Sequence, residues 1–297
     1  MKIEVNSDNE QRIDTYLLDE LNISRSKIQK MIKENYILVN DNEIKNSYIL
    51  KNGDIITINE YKDEEMKAVP VKMDLDIVYE DDDVIVVNKQ NGLVVHPAPG
   101  NYDNTLVNGL LYHSKNLSTI NGEFRPGIVH RIDAYTTGLL MVAKNDKAHE
   151  FLAKQLEEKT TVRKYVALVW GKINSDTGTI DAPIGRDLND RKKMAINEDG
   201  KKAITHFKVL ERYEDFSLIE LKLETGRTHQ IRVHMNYIGH PVINDNVYGK
   251  RKIIDDSGQC LHAKVLGFVH PKTNKYMEFD SELPECLLNI YNKLKNK

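Results

Sequence analysis

The spacing of apolar and polar positions divides the chain into two stretches with different habits. Over residues 1–58 the apolar positions come in short groups. In Arg12-Ile13-Asp14-Thr15-Tyr16-Leu17-Leu18, the residues Ile13, Tyr16 and Leu17 recur at helical spacing and predict a short helix. Ile28, Met31 and Ile32 form the apolar stripe of a second helix, for which Ser24 is a suitable N-cap. Ile37-Leu38-Val39-Asn40 and Asp54-Ile55-Ile56-Thr57-Ile58 read as short strands, the second entered through the turn Lys51-Asn52-Gly53. Residues 59–72, with Lys62-Asp63-Glu64-Glu65 and Pro70, show little apolar periodicity and are expected to be a linker.

From Met73 the pattern changes. Ile77-Val78-Tyr79 and Val84-Ile85-Val86-Val87-Asn88-Lys89 flank an acidic turn and read as two strands. Gly138-Leu139-Leu140-Met141-Val142-Ala143-Lys144 is a continuous apolar run, the mark of a buried strand, and Val162 to Val169 alternates. Further strands are expected over 203–213, 216–224 and 265–270, and helices over 105–113, 147–159 and 228–238. Strands in succession with helices inserted predict an α+β fold. Its centre would be a large, mostly antiparallel sheet in a domain over 73–297, with a small α/β domain over 1–58 ahead of it.

Composition adds little to this picture. Of the 297 residues, 40% are hydrophobic and 29% charged, which suits a soluble globular protein, and no apolar run approaches the length of a membrane span. With no apolar core at the N-terminus, a cytoplasmic chain that does not engage membranes is expected. Cys260 and Cys286 form no C-x-x-C pair, so two reduced thiols are expected rather than a disulfide framework or zinc site. The net charge of −3 counts mildly against nucleic acid as a partner, because phosphate contacts need cations. A sum over the whole chain can still hide a basic face, and Arg25, Lys27, Lys30 and Lys33 crowd the turns of the second helix.

The sequence carries no phosphate-binding G-x-x-x-x-G-K-[ST] loop, dinucleotide G-x-G-x-x-G, G-x-S-x-G elbow or H-E-x-x-H. His229 and His234 are five apart, a poor spacing for two ligands on one helix face, and no metal site is expected. Three segments stand out. Gly127 to Lys144 sets His130, Arg131 and Asp133 in a loop between apolar stretches, where an Asx-turn or capping role is, for this segment alone, the better explanation of Asp133. Leu223 to His234 feeds a glycine turn into a helix whose start can attract anions. Within it Arg232 lies between Ile231 and Val233, and a part-buried arginine there demands a carboxylate. Gly239 to Gly249 is a loop with defined turn chemistry, as consistent with a structural as with a functional role.

Taken together, these motifs resemble the RluA/RluD family of RNA pseudouridine synthases, and the RluD-type enzymes of the large ribosomal subunit most closely. The resemblance runs through Val86-Val87-Asn88-Lys89, Gly92 to Pro97, His130-Arg131-Ile132-Asp133 to Lys144, Lys164-Tyr165-Val166-Ala167-Leu168-Val169 and Thr225 to His234, and ends at Leu261-His262-Ala263. Residues 1–58 resemble the S4 RNA-binding domain in Arg12-Ile13-Asp14, Ser24 to Gln29, Val39-Asn40 and Gly53 to Ile56. The likeness implies a pseudouridine synthase fold and isomerisation of uridine in RNA without cofactor or metal. It also implies a catalytic set of Asp133, Arg232 and Tyr165. Asp133 would attack C1′ or take a ribose proton, Arg232 would pair with it, and Tyr165 would stack on the uracil and take the C5 proton. Arg131, His130, Ile231, Arg227, His229 and Gln230 would contact the substrate, and Arg12, Arg25, Lys27, Lys30 and Lys33 would meet RNA backbone. The expected partner is 23S ribosomal RNA or the precursor of the large subunit, and the expected state is a monomer. Transfer RNA is the alternative target, and a non-catalytic ribosome-assembly factor the alternative function. Ala134-Tyr135, beside the carboxylate, replaces a charged pair usual in the family, which bears on target choice.

Overall fold

A computed structural model describes residues 1–6, 11–21, 23, 25–61, 68–98, 101–120, 122, 124–190, 193–249 and 253–296. The expected N-cap Ser24 and most of the acidic part of the expected linker lie outside these residues. The chain divides into two compact units, Met1–Glu65 and Met66–Lys297.

In the first unit, strand Ile55–Ile58 lies between Lys2–Glu4 and Ile37–Val39, antiparallel to both, and Gln11–Arg12 pairs with Ile49–Leu50. Helices Ile13–Leu21 and Arg25–Lys33 close its core through Ile13, Leu17, Ile28 and Ile32, all fully buried. Each such side chain contributes roughly 1.5–3 kcal/mol by leaving water. The enclosed Asp14 carboxylate accepts paired bonds from Arg12 (3.0 and 3.0 Å) and Arg25 (3.1 and 2.9 Å), and one from Gln29 at 2.8 Å. Two of the arginines expected to meet RNA are thus anchored from below while about half of each side chain stays in water. Lys27 and Lys30 stand 5.9 and 5.6 Å from the Tyr61 ring centre, and Lys33 is exposed.

The second unit is built on one nine-stranded sheet. Its order is Thr177–Asp181, Ile204–Arg212, Phe216–Leu223, Val162–Trp170, Leu261–Val269, Thr137–Ala143, Val84–Lys89, Asp76–Glu80, with Tyr276–Asp280 added to Leu261–Val269. Every pairing is antiparallel except that of Leu261–Val269 with Thr137–Ala143. Strand alternation sorts the apolar side chains onto two faces. Ile85, Val87, Leu140, Val142, Tyr165 and Ala167 face the main core with helices Leu106–His113 and Gln230–Tyr237. Val84, Val86, Leu139 and Met141 pack beneath helix Asp146–Glu157, and Val166 and Leu168 beneath helix Glu285–Lys295.

The parallel seam depends on one glycine. Gly138 has φ +109°, and a Cβ there would stand 2.3 Å from the Ala263 carbonyl oxygen. Its absence lets Ala263 lie opposite Gly138, and the buried His262 bridges the same seam between the Thr137 and Ser281 hydroxyls at 2.8 and 2.9 Å. At the start of this unit Asn108 donates to the Val69 carbonyl, and the Val71 amide to the Asn108 carbonyl. The last residues of the expected linker are therefore tied to the second unit, because their backbone finds partners there. Among the described residues no helix is long and apolar enough to cross a membrane.

Candidate active site

On the main-core face a cavity of about 340 Å³ opens beside the seam. It is lined by His130, Arg131, Asp133, Arg163, Tyr165, Arg227, His229, Gln230, Ile231 and Arg232 among others, so the loop segment and the helix segment singled out in the sequence meet here.

Asp133 sits in a turn closed by the Thr136 amide donating to its carbonyl at 3.1 Å. The turn is pinned from below by Lys89. This wholly buried lysine donates from Nζ to three carbonyls, those of Gln90, Leu93 and Ala134, at 2.8, 2.9 and 2.7 Å. Burial lowers its pKa to about 7, against the pull of the Asp133 charge. Arg232 comes from the helix Gln230–Tyr237 and is 4% exposed, too enclosed to stand without anions. Its Nη1 donates to Asp133 Oδ2 at 2.9 Å. Its Nε and Nη2 form a fork on Asp245 at 2.7 and 2.9 Å. Asp245 is itself held by the Val247 and Tyr248 amides at 2.9 and 3.1 Å. Burial alone would raise the Asp245 pKa, but Arg232 and these amides hold it below the usual carboxylate range.

The helix carrying Arg232 begins at Gln230, two residues later than expected, because His229 takes a left-handed conformation with φ +55°. Non-glycine residues seldom adopt it, and neighbours must hold them there. Tyr248 Oη, which accepts the Met194 amide at 2.9 Å, lies 2.7 Å from His229 Nδ1. Nε2 of the same ring lies 3.8 Å from Asp133 Oδ1. Burial lowers the His229 pKa, with Asp133 opposing, so the ring faces the carboxylate uncharged near neutral pH.

Tyr165, 7% exposed, points from the sheet into the cavity, and Ile231 closes its apolar side. Burial raises the Tyr165 pKa, so the phenol is neutral at rest. Arg131 is exposed and donates to His96 Nε2 at 3.0 Å. Arg227 reaches the Lys202 carbonyl at 2.9 Å. Gln230 and His130 line the cavity but are partly committed to the scaffold. The Gln230 amide is engaged by Thr225, Arg227, Ile204 and Thr205, and His130 Nε2 accepts the Met141 amide. Sequence reasoning did not single out Asp245, Tyr248, Lys89 or Arg163. Asp245 lies in the Gly239–Gly249 loop, and a second carboxylate for Arg232 is within reach of sequence reasoning, since a guanidinium has five donors to satisfy.

Comparison with known proteins places this geometry in context. A family described as RNA pseudouridylate synthase matches residues 83–237, and the S4 domain matches residues 11–56. The chain is 54% identical to the uncharacterized RNA pseudouridine synthase YlyB of Bacillus subtilis, over 99% of this chain and 98% of that protein. It is 44% identical to ribosomal large subunit pseudouridine synthase D of Zymomonas mobilis, over 92% and 90% of the two chains. Among solved structures, human RNA pseudouridylate synthase domain containing 1 superposes with a TM-score of 0.59 at 28% identity, covering 75% of this chain and 96% of that one.

Proposed function

Since this chain belongs to the RNA pseudouridine synthase family, and so is an isomerase, we propose that Asp133 is its catalytic carboxylate and that its target uridine lies in 23S ribosomal RNA. The observation that carries the chemical assignment is the fork of Arg232. One buried guanidinium serves two carboxylates, Asp245 on the scaffold side and Asp133 on the cavity side. A cation held in this way fixes the Asp133 carboxylate at the cavity wall through a charge-assisted hydrogen bond.

The reaction breaks the C1′–N1 bond, turns the uracil and rejoins it through C5. Atoms and electrons are only rearranged, so the chemistry calls for no redox partner. Attack at C1′ and removal of a ribose proton both require ionised Asp133 against the sugar. Tyr165 supplies the flat wall on which an extruded base lies, and is the candidate acceptor of the C5 proton. Ile231 floors the pocket and keeps the freed uracil from water. Arg232 is a positioning residue that acts through Asp133. The target assignment rests on the likeness to the ribosomal large subunit synthase and on the S4 domain ahead of the catalytic unit.

The test is pseudouridine mapping on ribosomal and transfer RNA from cells lacking the protein, then restored with the wild-type chain or with Asp133→Asn. Loss of one or more 23S sites, regained with wild type and not with Asp133→Asn, is expected. Restoration by Asp133→Asn would remove the carboxylate assignment, and sites confined to transfer RNA would remove the ribosomal one.

A further inference from the structure

Among the described residues, the scaffold leaves a charge of the cavity unanswered. Arg163 is 8% exposed, yet its Nε is buried with no hydrogen-bond partner, and no carboxylate among the described residues forms an ion pair with it. The other arginines of the cavity differ: Arg232 has two carboxylates, Arg227 a carbonyl and Arg131 an imidazole. Arginine cannot escape by losing its proton. Enclosing an unpaired guanidinium is costly, and a fold that keeps one on a cavity wall is arranged for an anion that arrives from outside.

The local structure aims it there. Arg163 and Tyr165 are two apart on strand Val162–Trp170, so both project from the same face, and both line the cavity. The guanidinium lies against the turn before the Arg232 helix, where a Cβ at position 226 would come within 2.9 Å of Nη1. Gly226 leaves the slot open. Uracil and ribose are uncharged, and the anions of an RNA substrate are its phosphodiesters. The geometry points to Arg163 as a phosphate-binding residue for the target nucleotide. It grips a phosphate flanking the extruded uridine while the base lies on Tyr165 and the sugar meets Asp133. This assignment rests on reading the cavity as the uridine pocket.

The probes are uridine and uridine 3′,5′-bisphosphate, titrated at low salt into the full chain and into Arg163→Met, Arg163→Lys and Glu157→Gln. Glu157 is included because it is exposed and, with Asp133, supplies the carboxylates that line the same cavity. Wild type should prefer the bisphosphate by about tenfold or more, the scale of a charge-assisted contact. Arg163→Met should lose most of that preference with its uridine affinity unchanged, and Arg163→Lys should keep part of it. The empty Arg163→Met chain should melt at or above wild type, since an unpaired buried charge has gone. The assignment is overturned if wild type shows no preference or if Arg163→Met retains it. Equal weakening of both ligands would mean a grip on the base instead. A lowered melting temperature in both Arg163→Met and Glu157→Gln would mean an internal ion pair. Asp133→Asn keeps the bisphosphate preference, so a failed carboxylate assignment shows in product formation and a failed phosphate assignment shows here.

Discussion

Replacing Asp245 by Asn tests the site where its parts are most tightly joined. The change keeps the shape, and Asn Oδ1 can still accept the Val247 and Tyr248 amides that now hold the carboxylate. What goes is the anionic fork under Arg232, two charge-assisted bonds at 2.7 and 2.9 Å in a place with almost no water. Breaking a buried pair from one side costs about 3–5 kcal/mol. Asp133 remains as a second anion, so the lower end, about 3 kcal/mol, applies. For a unit of this size that is a fall of roughly 6–12 °C in melting temperature. Arg232, left with one carboxylate, turns toward Asp133 and draws it off its position, and a displacement near 1 Å costs on the order of 100-fold in rate. Asp245 is enclosed beneath the cavity, so RNA affinity should hold while kcat falls. Thermal melts and single-turnover product formation at neutral pH read the two effects. A melting temperature within about 2 °C of wild type together with an unchanged kcat would refute the fork as the element that positions the carboxylate.

Other features give sharper local tests. Burial pushes the His262 pKa down to about 4, with the Lys264 charge adding to the effect, so the unfolded chain takes up this proton first as pH falls. Stability should therefore be lost between about pH 6.5 and 4 and level off below, and urea melts of His262→Gln should show a shallower slope in that window. Gly138→Ala should cost about 3 kcal/mol or more, because its Cβ meets the Ala263 backbone at a φ that alanine rarely adopts; an unchanged urea midpoint would contradict the close seam. Asp14→Asn frees Arg12 and Arg25 and should weaken RNA binding by about fivefold or more in a filter assay, with equal binding showing that the anchored pair does not meet RNA.

Strong periodicity made much of this fold legible in the sequence. The strands expected over 203–213 and 216–224 occur as Ile204–Arg212 and Phe216–Leu223, and the helix over 147–159 as Asp146–Glu157. Elements with weaker patterns escaped. Thr177–Asp181 and Tyr276–Asp280 are edge strands with one face in water, where polar residues hide the alternation. Helix Glu285–Lys295 buries only Leu287 and Ile290 fully. The late start of the Arg232 helix comes from Tyr248 holding His229, a contact across 19 residues that no local rule contains. The site divides in the same way. Arg232 announced its need for a carboxylate by lying between apolar neighbours, but the sequence could not show that it has two. Arg163 reads as an ordinary charged residue of an alternating strand, since only the cavity reveals that no described residue answers its Nε.

The strand Leu261–Val269 has a consequence for how the enzyme comes into being. It joins two half-sheets, one reaching back to Asp76–Glu80 and the other out to Thr177–Asp181. Asp133 extends from the first half, and Arg232 follows the second by way of Phe216–Leu223. At about 5–20 residues per second, a growing chain carries Asp133 for roughly ten seconds before this strand is made. During that time the open edge of Thr137–Ala143 is a surface for mispairing. A chain cut short after Gly249 would carry every residue argued to do chemistry and still lack the piece that brings them together. The site proposed here thus waits on that strand, and the first product formed by a growing chain would time the closing of the sheet.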